Sequence, residues 1–232
     1  MKDYRILFQG DSITDGNRYK DEASRWDGNH QIGHSYAYMT AGILSAQYPE
    51  KHLRFYNRGV SGNAVPDLYK RWEDASILMH PDLLTILIGT NDVGRCQSMD
   101  DPTPYYADFD RLFRRILTLS REENPDLRII LLEPFRLYLS ENQTYDDWKR
   151  GWERLSYFQE QERAIAKDFD AVFVPLQSVF DRACTLREPE YWMWDGVHPT
   201  PAGHYLVAEK LCEAIRGLIS AVITHIYAVF LR

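Results

Sequence analysis

With 232 residues the chain suits one sizeable domain. At that length folding hides roughly 70–75% of the surface an open chain exposes, so the core needs no covalent staples. Apolar residues at 44% and charged residues at 26% exclude a disordered, collagen-like or disulfide-framework chain, and a net charge of −7 opposes sequence-independent binding of nucleic acid.

In chain order, 4–8 reads as a strand, followed by a loop rich in Gly, Asp and Asn through about Gly33. A helix is expected over 35–47, ending before Pro49, then a strand over 53–56 and a glycine-bearing loop over 57–63. The next helix spans 65–79, with Pro66 tolerated in its first turn. Residues 83–88, Leu-Leu-Thr-Ile-Leu-Ile, form an apolar run suited to a strand covered on both faces. A helix over 105–119 and a buried strand over 128–132 follow. The long charged pattern over 148–169 predicts an amphipathic helix with a solvated face, and 171–174 a last short strand. Thr200 and Pro201 form a helix start, threonine as cap and proline at the first helical position, for a helix reaching about Ile215.

Five alternations of strand and helix predict an α/β fold, a three-layer α/β/α sandwich of flavodoxin-like type around a five-stranded parallel sheet. No repeat or linker divides the sequence, so one domain over 1–232 is expected. Cys96, Cys184 and Cys212 are odd in number and lie far apart without a CxxC pair, which predicts free thiols and no zinc site. The charged start of the chain and the short apolar run at 6–8 do not resemble a signal peptide, so a cytoplasmic setting is expected. Residues 217–231 carry no Lys, Arg, Asp or Glu. They fall short of the ~20 that span a bilayer, so this apolar tail is expected to pack or to make a subunit contact rather than cross a membrane.

Parallel sheets gather ligands beyond the carboxyl ends of their strands, which directs attention to three loops. After the first strand stands Gly10-Asp11-Ser12-Ile13, where a strand-to-helix turn can expose the Ser12 hydroxyl. After the second stands Asn57-Arg58-Gly59-Val60-Ser61-Gly62-Asn63, and after the third Gly89-Thr90-Asn91-Asp92. Near the other end, Trp194-Asp195-Gly196-Val197-His198-Pro199 places a carboxylate and an imidazole with two residues between them, close enough to meet within one loop. Each segment taken alone also reads as an ordinary turn. All four in this order form a specific pattern.

That pattern resembles the SGNH, or GDSL-type, hydrolase family, whose marker residues are serine, glycine, asparagine and histidine. The markers map to Ser12, Gly62, Asn91 and His198, with Ile13 in place of the usual leucine, and the likeness runs from about Tyr4 to Ile215. The stretches 57–63, 70–73, 91–93 and 194–199 resemble the acetylxylan-esterase branch of intracellular bacterial members. The resemblance implies Ser12 as nucleophile, His198 as base, Asp195 as its orienting acid, and an oxyanion hole from the amides of Ser12 and Gly62 with the Asn91 side chain. It implies a small acylated substrate such as an acetylated sugar and a homo-oligomer, and requires neither a metal nor an organic cofactor. Rival readings are a short-chain lipase, lysophospholipase or thioesterase on the same residues, and a noncatalytic binding module. Trp194 is a candidate wall for a carbohydrate; Trp26, Arg95 and Phe135 are weaker specificity candidates. Asp11 and Asp15 are expected to stabilise turns, and His30, His34 and His204 to be structural or surface residues.

Overall fold

The computed structural model describes residues 3–21, 28–139 and 144–230. The first strand, β1 (Tyr4–Gly10), leads through α1 (Ser12–Asp15) and α2 (Gly28–Ile32) to α3 (Tyr36–Gln47) and then β2 (Leu53–Asn57). Next come α4 (Val65–Lys70), α5 (Trp72–Ala75), β3 (Leu83–Leu87), α6 (Thr90–Cys96) and α7 (Thr103–Glu123). The remainder comprises β4 (Arg128–Leu132), α8 (Tyr145–Asp168), β5 (Val172–Val174), α9 (Gln177–Ala183), α10 (Pro189–Trp192) and α11 (Pro201–Phe230).

All strand pairs are parallel, in the order β2-β1-β3-β4-β5. Every residue of β3 is buried, as its uninterrupted apolar run predicts for a central strand. Side chains alternate across the sheet: Ile6 and Phe8 join the cluster with Tyr36 and Leu44 of α3 and Val207, Leu211 and Ile215 of α11. Leu7, Leu84 and Ile86 join the other, with Leu68 of α4, Phe109 and Phe113 of α7, and Leu155 and Phe158 of α8. Helices therefore cover both faces, as expected. The strand order reverses direction between β1 and β3, the switch point beyond whose carboxyl ends parallel sheets bind their ligands.

Several elements differ from the sequence-based expectation. The helix foreseen over 65–79 is broken at Arg71 (φ −108°, ψ 9°), and a 3-10 turn at Ile77–Met79 replaces its end. Around the break, tertiary contacts outweigh weak helix propensity: the Arg71 guanidinium turns towards the sheet edge, while the buried Trp72 indole donates to Ser120 Oγ at 3.0 Å. Thr90, Asn91 and Asp92, read as part of a loop, open α6, and α1, α2, α9 and α10 occupy segments too short to show a helical period. Helix α11 continues past Ile215 to Phe230. Among the described residues, no helix is long and apolar enough to cross a membrane. The three cysteines are free.

Candidate active site

Gly10 ends β1 where a Cβ would fall 2.3 Å from both the Leu87 carbonyl and Thr14 Oγ1. Only glycine lets the strand pass so close to β3 and turn at once into α1. Asp11 caps that helix, accepting from the Ile13 N–H at 2.9 Å, and Ser12 is its first residue. The opening residue of a helix has no intrahelical acceptor for its N–H, so the Ser12 amide is available to a ligand.

From the far end of the chain, the segment before α11 returns to meet Ser12. Met193 and Pro199 form an antiparallel bridge, and Trp194 N–H donates to the His198 carbonyl at 2.9 Å. Inside this loop Asp195 Oδ1 accepts from the Val197 and His198 N–H groups at 2.9 and 2.8 Å. Its Oδ2 lies 2.7 Å from His198 Nδ1, and His198 Nε2 lies 2.8 Å from Ser12 Oγ. A carboxylate on Nδ1 selects the tautomer with its proton there, leaving Nε2 to accept from the hydroxyl. Burial pushes the Asp195 pKa up, but hydrogen bonds from the His198 backbone, its ring and the Val197 N–H outweigh it and hold the carboxyl below its ordinary range.

Two further loops close round the same point. The chain after β2 is tied to β1 by Arg58 N–H donating to the Phe8 carbonyl (2.9 Å) and Val60 N–H to the Gly10 carbonyl (3.1 Å). Gly62 takes a φ of 81°, a left-handed conformation that favours glycine, and a Cβ there would meet nothing within 4 Å. Asn91 lies in the first turn of α6; its Nδ2 donates to the Asn63 carbonyl at 3.0 Å and, at 3.4 Å, to Asp11 Oδ2. Behind them stands Arg71, given no role of its own by the sequence beyond its place in the stretch 70–73. It donates to Asn63 Oδ1 (2.6 Å), Gln9 Oε1 (2.9 Å), the Arg58 carbonyl (2.8 Å) and, at 3.3 Å, the Gly10 carbonyl. Burial, followed by the charge of Arg18, pulls its pKa down to about 10.

Beneath these loops lies a group of buried acids. Asp92 receives the Val65 N–H on both oxygens at 3.2 Å and the Tyr105 hydroxyl at 2.9 Å. Burial raises Asp11 and Asp92 each to about 7. Glu162 is fully buried with neither carboxyl oxygen hydrogen-bonded, and burial, then the charges of Asp92, Glu133 and Asp11, drive its pKa well above 4.5. Helix α8 thus carries a buried carboxyl in a pattern read as a solvated face with an apolar stripe.

The other candidates separate clearly. Trp194 is 67% exposed beside Asp195. Arg95 ion-pairs with Asp67 and reaches the Gly62 carbonyl at 3.4 Å, at the edge of the glycine loop. Phe135 is fully buried against Phe180, ring centres 4.5 Å apart, and so belongs to the core, with no surface to offer a substrate. Trp26 lies outside the described residues. Asp15 accepts from the Ser61 hydroxyl at 2.9 Å, which ties α1 to the loop after β2. His34 Nδ1 lies 2.9 Å from the Gly16 carbonyl, and His204 Nδ1 accepts from the Tyr36 N–H at 3.2 Å. Burial, then His34 and His198, pull the His204 pKa down to about 4.

The arrangement of hydroxyl, imidazole and carboxylate beside convergent amide donors is suited to acyl transfer. Residues 8–206 match the GDSL-like lipase/acylhydrolase family. The chain belongs to that family. As a GDSL-like acylhydrolase it is a carboxylic ester hydrolase. It is 34% identical over 212 residues to an acetylxylan esterase of Geobacillus stearothermophilus, covering 91% of this chain and 93% of that relative. The crystal structure of that organism's acetylxylan esterase Axe2 superposes with a TM-score of 0.76 at 30% identity, over 90% of this chain and 93% of the other. A GDSL-like lipase structure from Parabacteroides merdae gives 0.82 at 36% identity, over 92% and 95% of the two chains. The α/β fold and five-stranded parallel sheet of this GDSL hydrolase agree with those neighbours.

Proposed function

We propose that the protein is a serine acetylesterase that removes acetyl groups from carbohydrates, xylan-derived oligosaccharides or sugars like them, through an acyl-enzyme. The observation that carries the reading is the 2.8 Å contact between Ser12 Oγ and His198 Nε2, residues 186 positions apart, with Asp195 behind the imidazole. The similarity to an acetylxylan esterase over most of both chains supports the choice of substrate.

In this reading His198 Nε2 takes the hydroxyl proton as Ser12 Oγ attacks the ester carbonyl, and Asp195 stabilises the imidazolium. The oxyanion receives hydrogen bonds from the Ser12 and Gly62 amides and from Asn91. One N–H of Asn91 rests on the Asn63 carbonyl, and the other, held only by the long contact to Asp11, turns to the oxyanion as it forms. His198 then returns its proton to the departing sugar oxygen. Water enters, loses a proton to the same nitrogen as it attacks the acetyl carbonyl, and His198 hands that proton to Ser12 Oγ as acetate leaves. Trp194, standing in solvent beside the triad loop, offers a flat apolar face to a sugar ring.

The proposal extends to a homo-oligomer, supported by the apolar run 217–231, and sedimentation of the full chain reads it directly. The substrate assignment is tested with a panel of acetylated sugars and of aryl esters from acetyl to octanoyl, with Ser12→Ala as the blank. Acetyl esters hydrolysed far faster than octanoyl esters, together with turnover of acetylated sugars, support it. A preference for octanoyl esters would move the assignment to a lipase or thioesterase.

A further inference from the structure

A guanidinium withdrawn from water normally sits among acceptors, because an uncompensated buried charge is strongly unfavourable. Arg136 departs from this. It follows β4 at the carboxyl edge of the sheet, where its backbone is gripped by Gln177: Arg136 N–H donates to Oε1, and Gln177 Nε2 donates to the Arg136 carbonyl, both at 3.0 Å. The next residue, Leu137, donates its N–H to the Gly196 carbonyl at 2.8 Å, which fixes this segment to the loop bearing Asp195 and His198. The Arg136 side chain is largely buried. Its Nε has no hydrogen-bond partner, and among the described residues no carboxylate forms an ion pair with the guanidinium. Burial lowers its pKa, and the field of Asp195 opposes that shift.

Helix α8 makes room for this group. Gly151 lies within the helix, where glycine is unfavourable. A Cβ there would fall 2.3 Å from Arg136 Nη1, 3.3 Å from its Cζ and 3.2 Å from Gln97 Oε1. The same two segments bring aromatic rings: Trp148 and Trp152, on either side of Gly151 in sequence, stack at 5.6 Å and 21°, and Tyr138 lies 5.5 Å from Trp148. A guanidinium without an ion pair among the described residues, on a segment tied to the triad loop and packed against a helix that also carries Trp148 and Trp152, is a combination suited to an anionic sugar.

We propose that Arg136 binds a carboxylate on the substrate, so that the preferred ester is an acetylated oligosaccharide bearing a uronic-acid group. The inference rests on the carbohydrate-ester reading above and specifies the substrate class within it. Nε is sealed by protein, so the Nη1/Nη2 end of the fork meets the carboxylate in a two-point pair. A singly charged carboxylate suits the site better than a phosphate. Asp11, Asp92, Glu133 and Glu162 form an acidic group under the adjoining loops, and their field weighs more heavily on a doubly charged anion.

The test measures kcat/KM for a neutral acetylated xylo-oligosaccharide, for the same compound carrying a uronic acid, and for an acetylated sugar phosphate, each divided by the value for 4-nitrophenyl acetate. The enzymes are the parent, Arg136→Met, Arg136→Lys and Gly151→Ala. Calorimetric titration with the deacetylated uronic-acid oligosaccharide reads binding without turnover, and thermal melting confirms folding. The parent should prefer the uronic-acid ester by about tenfold, in line with one charge-assisted pair. Arg136→Met should erase that ratio through KM, Arg136→Lys should keep part of it, and Gly151→Ala should reduce it with every charge in place.

No preference in the parent, a preference for the phosphate, or an equal loss on all esters would overturn the proposal; the last would make Arg136 a support for Asp195. If neither sugar ester is turned over, yet uronic-acid binding depends on Arg136, the carbohydrate-ester reading fails and the anion site stands. Turnover of both sugar esters at equal rates would overturn the anion site alone.

Discussion

Arg71 holds Asn63 from behind: its Nε donates to Asn63 Oδ1 at 2.6 Å, while the carbonyl of the same asparagine accepts from Asn91 Nδ2 at 3.0 Å. The guanidinium also binds the carbonyls of Gly10 and Arg58, so the loops after β1 and β2 and the first turn of α6 meet through one cation. Arg71→Lys keeps the charge but loses the planar fork that reaches several acceptors. A misplacement of about 1 Å at reacting groups can cost about 100-fold, so kcat should fall roughly 10- to 100-fold with little change in KM. An effect confined to the melting temperature would make Arg71 purely structural.

Ser12→Ala and His198→Ala should each lower kcat by about 10⁴-fold or more while the protein stays folded, because the hydroxyl and imidazole act as one unit. The double variant should be barely worse than either alone. Turnover of an acetyl ester by Ser12→Ala at more than a few per cent of the parent rate would sink the nucleophile assignment.

Asp195→Asn should cost about 10³- to 10⁴-fold in kcat, since an amide on Nδ1 no longer enforces the tautomer that leaves Nε2 basic. The carboxyl pKa is depressed, so its stabilising bonds are complete above the ordinary carboxylate range and are lost as pH falls through the lower folded value. The parent should therefore lose stability in strong acid more steeply than Asp195→Asn, as melting curves at descending pH would reveal.

Asn91→Ala should reduce kcat by about 10²- to 10³-fold with a modest change in KM, as for loss of one oxyanion donor. A change in KM alone would reassign Asn91 to substrate binding.

Glu162 should govern stability on the alkaline side. Its raised pKa means the folded chain keeps a proton that the unfolded chain releases above about 4.5, so stability falls as pH rises from there towards the folded value. Asp11 and Asp92, at about 7, act in the same direction. His204, lowered to about 4, acts oppositely below 6.5, but equally in parent and variant. Glu162→Gln should therefore gain on the parent in melting temperature between pH 6 and pH 9. An identical difference at both pH values would show that Glu162 does not titrate in this range.

All five strands were legible in the sequence because each is a short, mostly apolar run set off by turn residues, a local signal strongest in β3, where burial on both faces of the parallel sheet enforces it. The break at Arg71 was not, since it depends on acceptors from loops far away in sequence. Nor was the buried carboxyl of Glu162: in a helix full of Glu and Arg, one acid looks like the next, and only packing decides which of them faces the core.

By itself the sequence determined the alternating α/β pattern, the family and the residues named as candidates, because strand burial and turn chemistry are written in neighbouring side chains. Only the tertiary structure decided that Ser12 Oγ meets His198 Nε2 at 2.8 Å, that Arg71 joins three segments, and that Arg136 is largely buried with no ion pair among the described residues. Distances and desolvation arise between groups remote along the chain, and folding alone brings them together.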